Sequence, residues 1–460
     1  MPQKRADVVI CGAGIAGISA AFHLAQQGAV PRILLVDSRP PLSLTSDKST
    51  ECYRNWWPGP GDAMVGLMNR SIDLLETMAE ASGNVFHMNR RGYLFATANP
   101  NRVPDFIHQA EEAARFGAGP LRIHDGRKQG SPYRPLQEQG YEDQPDGADL
   151  ILDPQLIREH FHYLARDTVA VIHPRRCGWF SAQQLGTYML QEARASGVEL
   201  IEGQVEQVKL EAGCVAEVRL STPSGGMAVS TPNFVNAAGP YLGDVARHFG
   251  VDLPLYTELH AKISIHDHLG LFPRDAPLLI WADEQKLNWR HDERQAIAEA
   301  GDLGYLLETF PQGVHARPEG PDDSAIVLIL WTYDMEPVPP RFPIQTDPNY
   351  PEIALRGLAR MIPALQTYFD QPPRPYIDGG YYTKTRENRP LIGPLPVEGA
   401  WVIGALSGYG LMAGPASGEL LAMHLCGNML PDYSTWFLLE RYQDPSYRVL
   451  LENWGETGQL

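Results

Sequence analysis

Cysteine is scarce in this chain. There are five in 460 residues, at positions 11, 52, 177, 214 and 426, with no CxxC spacing and no Cys/His cluster. That argues against a disulfide framework and leaves no zinc or iron–sulfur ligand set, so no metal is expected and a reducing, cytoplasmic setting fits best. Positive charge is also in deficit: 38 Lys and Arg stand against 55 Asp and Glu, for a net charge of -17. A nucleic-acid backbone or an anionic membrane is therefore a poor partner, although a small anionic substrate can still meet a locally positive site. No apolar run approaches the roughly 20 residues of a membrane span. Lys4 and Arg5 ahead of an apolar stretch imitate a secretory signal, but a glycine turn lies inside that stretch and a strand follows it, so cleavage there is not expected. Internal repeats and low-complexity tracts are missing as well. What remains is the composition of a soluble globular protein, 43% hydrophobic and 20% charged. It is too long for one ordinary core, so two domains are expected.

The most informative residues come first. Val8-Val9-Ile10-Cys11 is a short apolar run that enters Gly12-Ala13-Gly14-Ile15-Ala16-Gly17. An Ala-rich stretch follows, then Ile33-Leu34-Leu35-Val36 and Asp37, 20 residues after Gly17. Strand, glycine turn, helix, strand and acid in this order mark a dinucleotide site. Gly12 permits the tight turn, Gly14 lets the backbone approach a pyrophosphate, and Gly17 lets the helix lie close to the sheet. The helix entrance at Ile15 and Ala16 offers N–H groups and partial positive charge to phosphates. Asp37, with Ser38 beside it, can accept hydrogen bonds from ribose hydroxyls. The pattern alone fits NAD(P) and FAD equally.

Farther along, apolar spacing of three to four over residues 64–78 predicts an amphipathic helix. Residues 86–97 read as strands joined by a turn, and residues 117–147, rich in Gly, Pro, Gln and charge, as a long surface excursion. Asp153-Pro154 signals a helix start, and residues 181–195 a helix capped by Ser181. From Gly197 a sheet run continues through Val205, Val208, Val215 and Val218. Residues 255–375 are rich in Pro and Trp, with an alternating strand at 325–333, and suit a mixed or antiparallel sheet. Glycine-rich character returns at Gly379. The expected fold is α/β: a discontinuous Rossmann-like dinucleotide domain (residues 1–90, 152–250 and 376–460) and an inserted α+β substrate domain with a mixed or antiparallel sheet (91–151 and 251–375).

Two later segments bear on the cofactor. Phe234-Val235-Asn236-Ala237-Ala238-Gly239-Pro240 is a strand ending in small residues, which let a ligand approach the backbone. Trp401-Val402-Ile403-Gly404 is followed by Ser407-Gly408-Tyr409-Gly410-Leu411-Met412 and a helix over 413–426, a second glycine-rich helix entrance. Together with residues 380–393 (GYYTKTRENRPLIG) and Gly418-Glu419-Leu420-Leu421-Ala422, these blocks resemble, across almost the whole chain, the D-amino-acid oxidase-like superfamily. The branch they resemble is that of the sarcosine oxidase β-subunit and dimethylglycine dehydrogenase.

That resemblance implies FAD rather than NAD. It implies that Gly12, Gly14, Gly17 and Asp37 hold the ADP half and that Val205 makes a backbone contact to adenine. Ser49, Thr50 and Arg54 would lie along the pyrophosphate and isoalloxazine, Ala238 and Gly239 beside the cofactor, and Gly408, Gly410, Leu411 and Met412 by the flavin's pyrimidine edge. The sequence also departs from the pattern. Tyr382 stands where many members carry a carboxylate-binding Arg, and Gly380 stands where some attach FAD through Cys. Glu51 lies near the position of a flavin-attaching His in related dehydrogenases. Non-covalent FAD is therefore expected, with Cys52 as a packed thiol. Tyr409 replaces a common His, and no Lys occupies the later part of the 325–333 strand where an oxygen-activating Lys resides in monomeric sarcosine oxidases. The electron acceptor is accordingly O2 or another redox partner.

The implied reaction takes hydride from a carbon bearing an amine, giving an imine that hydrolyses. The amine must be neutral, which a pocket that lowers its pKa achieves without an obligatory base. Arg54, Tyr382 and Tyr409 are the candidate catalytic residues: Arg54 for a substrate carboxylate or the flavin, the tyrosines as pocket walls. Each has a plain packing alternative, and for Arg54 it is an ion pair with Glu51. Trp56 and Trp57 can line an apolar pocket; His260 and Lys262, on a probable strand, are weaker candidates. Two competing readings are a 2-hydroxy acid or polyol dehydrogenase, which needs a base and often uses His, and a flavoprotein subunit or assembly factor with little turnover alone.

Overall fold

The computed structural model of the chain describes residues 3–57, 59–127, 132–321 and 323–454. Strand Val8–Cys11 is buried on both faces, which is why it reads as a continuous apolar run rather than an alternation. It pairs in parallel with Ile33–Asp37, Val8 opposite Ile33 and Cys11 opposite Val36. Helix Ile15–Gln27 joins the two and stops at Gly28, whose φ of 66° is left-handed. Six strands form this sheet, in the order Glu199–Glu202, Ile33–Asp37, Val8–Cys11, Phe234–Asn236, Ala400–Gly404 and Leu391–Pro394. All neighbours are parallel except the last pair.

Helix Gly410–Cys426 lies across Ile15–Gln27 at very short range. A Cβ on Gly418 would stand 2.5 Å from the Ser19 backbone carbon, and Ser19 Oγ donates to Gly414 O at 2.6 Å. Glycine on the later helix thus sets how closely the second glycine-rich entrance approaches the first.

A nine-stranded mixed sheet covers the other side of the site. Its order is Tyr376–Lys384, Tyr256–His266, Ile326–Leu330, His315–Glu319, Leu278–Trp281, Tyr93–Thr97, Ala170–Pro174, Ala148–Ile151 and Leu121–His124. A smaller sheet of four holds Gln3–Arg5, Gly225–Ser230, Cys214–Thr222 and Gln204–Glu211.

Three helices follow the sequence signals. They are Ala63–Ser82, Pro154–His160 with Asp153 accepting from Gln155 N, and Ala182–Ala195 with Ser181 accepting from Gln184 N. Other segments differ from the reading. Within 86–97 only Tyr93–Thr97 is a strand, because the Asn84 side chain clasps both backbone groups of Met88 and offers the chain a local alternative to a hairpin. The excursion at 117–147 contains the strand Leu121–His124, which pairs in parallel with Ala148–Ile151; a short edge strand has too little periodicity to read. Residues 128–131 of that excursion lie outside the described residues. The run from Gly197 splits, its first strand closing the parallel sheet and the next two forming a hairpin in the four-stranded one. Ala170–Pro174 and Tyr376–Lys384, read with the dinucleotide segments, run in the nine-stranded sheet. Among the described residues no helix is long and apolar enough to cross a membrane.

Candidate functional site

A groove of about 490 Å³ runs along the carboxyl ends of the parallel strands. Gly12, Gly14, Ile15 and Ala16 form one wall, and Asp37 and Ser38 stand at one end. Val205 from the neighbouring hairpin, Ala238 and Gly239 add to the lining, as do Ser49, Gly408, Gly410 and Leu411. The turn is bound to its surroundings through the backbone. Gly12, at φ 112°, donates to Val36 O, and Ala237 N donates to Cys11 O at 2.9 Å. Asp37 keeps its carboxylate on the groove wall by accepting from Ala13 N at 2.7 Å and Arg39 N at 2.9 Å. A Cβ on Gly239 would meet no heavy atom within 4 Å, so the cradle there is open rather than filled by protein. The glycine turn, the acid and the small residues opposite suit an extended dinucleotide. Gly17 does not line the groove: its Cβ would fall 1.8 Å from Gly12 O, so its place is taken by helix packing.

A second cavity, about 1350 Å³, lies against the nine-stranded sheet and shares Ser49, Tyr382 and Gly408 with the groove. Thr50 and Met412 line this cavity and not the groove. Arg54, on the short strand Cys52–Arg54, is 4% exposed. Its guanidinium stands 4.6 Å from the Trp57 ring and 5.7 Å from that of Tyr93. Burial lowers its pKa, yet an arginine this basic stays charged. Glu51 is turned elsewhere, its Oε2 accepting from Ala182 N at 3.2 Å. Tyr382 is stacked on His260 with ring centroids 4.0 Å apart, and its hydroxyl bonds to no described residue. Tyr409 differs, because its hydroxyl donates to Asn388 O at 2.9 Å while its ring meets Trp57 edge-on. With that proton committed, Tyr409 holds Trp57 in place rather than presenting a donor.

The loop between groove and cavity is held from behind by two buried cations. Lys262 Nζ donates to Asp47 O and Ser49 O at 2.9 and 2.8 Å, and Arg317 Nε donates to Thr50 O at 2.6 Å. Lys262 is therefore a support for the loop, whereas His260 lines the cavity. The groups around His260 belong to no sequence motif. Glu258 Oε2 takes His260 Nε2 at 2.9 Å and Lys384 Nζ at 2.5 Å, and Thr332 Oγ1 lies 2.7 Å from His260 Nδ1. Since a carboxylate only accepts, Nε2 carries the hydrogen and Nδ1 accepts from Thr332. Burial raises the Glu258 pKa, but the hydrogen bonds from His260 and Lys384 outweigh it and leave the carboxyl lowered. Glu258 and His260 occupy alternate positions of Tyr256–His266, a spacing that puts them on one sheet face and is legible in the sequence.

His315 had no such signal. It begins strand His315–Glu319, opposite Leu330, and lines the same cavity. Its Nδ1 lies 2.8 Å from Gly313 O and must carry hydrogen. Burial first, then the charge of Arg54, pushes its pKa down to about 4, although the Gly313 bond opposes the shift. This has a pH consequence. Below the ordinary 6.5 the unfolded chain binds a proton that folded His315 refuses, so stability is lost as pH falls from 6.5 towards about 4. The loss is about 1.4 kcal/mol per pH unit for this one group. In chemical unfolding at pH 7, 6 and 5, His315→Gln is expected to lose stability less steeply than the parent by about that slope. Parallel curves would mean that His315 is protonated in the folded protein.

Among the described residues no group of three or more His, Cys, Asp and Glu is arranged to hold a metal. A family profile described as FAD dependent oxidoreductase (DAO) matches residues 7–423. FAD-dependent oxidoreductase domain-containing protein 1 of Bos taurus is 23% identical over 96% of this chain and 86% of its own length. Mitochondrial dimethylglycine dehydrogenase of Rattus norvegicus is 25% identical over 60% of the chain, which spans 29% of that protein. The crystal structure of L-proline dehydrogenase from P. horikoshii superposes with a TM-score of 0.71, covering 96% of this chain and 99% of that one at 18% identity, a likeness of fold.

Proposed function

This chain belongs to the DAO family of FAD-dependent oxidoreductases, and from that premise we propose that it oxidises a C–N bond of a secondary or N-methyl amine or amino acid. The observation that carries the reading is Arg54, a buried cation in an aromatic-walled cavity that meets the dinucleotide groove at Tyr382. Relatives named for dimethylglycine and for L-proline support an amino acid with a substituted nitrogen. The groove residues fit FAD: Gly12, Gly14 and Asp37 would hold the ADP half, Val205 the adenine, and Gly408, Gly410 and Leu411 the far end. When bound, FAD supplies the hydride acceptor.

The residues of this chain bind and orient the substrate. Arg54 offers a planar fork to a carboxylate, and the Trp57 and Tyr93 rings keep that fork fixed. Trp57 and Tyr382 contribute ring surface to the cavity, and the like charge of buried Arg54 disfavours a substrate ammonium beside it and promotes the neutral amine that the reaction needs. The imine product hydrolyses in water. FAD attachment is read as non-covalent. Burial pushes the Cys52 thiol up to about 11 and its hydrogen lies on Thr50 O, so it is not a thiolate able to form a flavin bond.

One observation favours a second reading, oxidation of a 2-hydroxy acid: an imidazole, His315, lines the cavity and can take a hydroxyl proton. The two readings part in an anaerobic screen of the FAD-loaded protein. Bleaching of the flavin absorbance by N-substituted amino acids is expected. Bleaching by hydroxy acids with none by any amine would overturn the first reading.

A further inference from the structure

We infer that His315 Nε2 is the acceptor for the hydrogen on the substrate's reacting heteroatom, so that this imidazole, together with Arg54, selects a carboxylate bearing a neighbouring N–H. The inference rests on the amine reading and names a specificity residue within it. Its warrant is the fixed tautomer. Gly313 O can only accept, so Nδ1 at 2.8 Å carries the ring hydrogen and Nε2 carries a lone pair. Nε2 has no hydrogen-bond partner among the described residues, and it is not among the buried polar atoms sealed without one, so it faces open space. That space is the cavity, which His315 lines with Arg54, His260, Thr332 and Tyr382.

The neighbouring imidazole cannot do this. His260 has Nε2 on Glu258 and Nδ1 on Thr332, so both its nitrogens are engaged. Tyr409 is likewise committed to Asn388 O. His315 thus presents a pure acceptor to the cavity that the fixed cation of Arg54 also lines. A ligand that places carboxylate on Arg54 and N–H on His315 satisfies both, whereas one with a lone pair in place of the N–H leaves two acceptors facing each other. Burial, with the positive charge of Arg54 adding to it, keeps the ring neutral, which preserves that lone pair.

The test compares two flat carboxylates of nearly the same shape, pyrrole-2-carboxylate, which offers N–H, and 2-furoate, which offers only oxygen. Each is titrated into the FAD-loaded full-length protein and binding is followed by the change in flavin absorbance. The parent should prefer the pyrrole by roughly tenfold or more, as expected for one buried hydrogen bond made against one lone-pair clash. His315→Ala should bring the ratio close to one. His315→Gln, whose amide oxygen can accept, should restore part of it and guards against an alanine variant that folds poorly. A parent that binds the pyrrole no better than the furan, or a preference that survives in His315→Ala, overturns the inference. The amine reading fails separately, by the absence of flavin bleaching in the parent with any amine, and the two failures are therefore distinguishable.

Discussion

Gly12→Ala is expected to purify without FAD. A Cβ at this position would stand 2.3 Å from Ala237 O and 2.8 Å from Ala237 C, both backbone atoms of the turn after Phe234–Asn236. Neither can retreat, because Ala237 N is bonded to Cys11 O and Gly12 N to Val36 O. The φ of 112° adds a conformation that alanine rarely adopts. Strain and overpacking together cost about 3–6 kcal/mol, concentrated in the turn that faces the groove. The 450 nm absorbance of the purified protein, set against its 280 nm absorbance, reads flavin retention directly. Gly28→Ala provides the contrast. Its φ is also left-handed, at 66°, but a Cβ there meets nothing within 4 Å, so a small loss of stability and full FAD content are expected. Retention of FAD by Gly12→Ala would show that the turn can open around the new methyl.

Arg54→Met should lower the rate constant for flavin reduction by an amino-acid substrate, expressed as kcat/KM, by roughly 10²–10³-fold. The figure corresponds to about 3–4 kcal/mol, the value of a two-pronged charged hydrogen bond lost from a buried site. Arg54→Lys should fall between, since lysine restores a point charge without the fork. The decisive comparison uses an amino acid and the amine formed by removing its carboxyl group. Loss confined to the amino acid assigns Arg54 to carboxylate binding. Equal loss for both would make its place over Trp57 and beneath Tyr93 a matter of packing alone, and bound FAD in the variant verifies that the groove is intact.

What could be read before folding depended on range. Helix caps at Asp153 and Ser181 and the strand-turn-helix at residues 8–27 are local, so their residues announce them. Arg54 and Tyr382 stand out by residue type and by the segments that hold them. The state of their surroundings does not. Tyr382 and Tyr409 look equivalent as letters, but a carbonyl at Asn388 occupies one hydroxyl while the other remains open to the cavity. Lys262 resembles a surface lysine on a strand until the carbonyls of Asp47 and Ser49 close around its ammonium. His315 is one histidine among 14, and nothing in its neighbours reveals that Gly313 fixes its tautomer.

The sequence by itself determined a dinucleotide-type glycine turn, and its blocks carried the resemblance to the family, from which FAD followed. Glycine at φ values other residues avoid, an acid at the end of the next strand, and small residues at 237–239 are demands of backbone geometry, and backbone geometry is written locally. Only the tertiary structure decided which polar groups meet in the large cavity beside the groove. That cavity is assembled from strands at 52–54, 256–266, 315–319 and 376–384, and the donor or acceptor character of each group depends on partners hundreds of residues away. Hydrogen-bond partners across a sheet are fixed by register and long-range packing, which local composition does not encode.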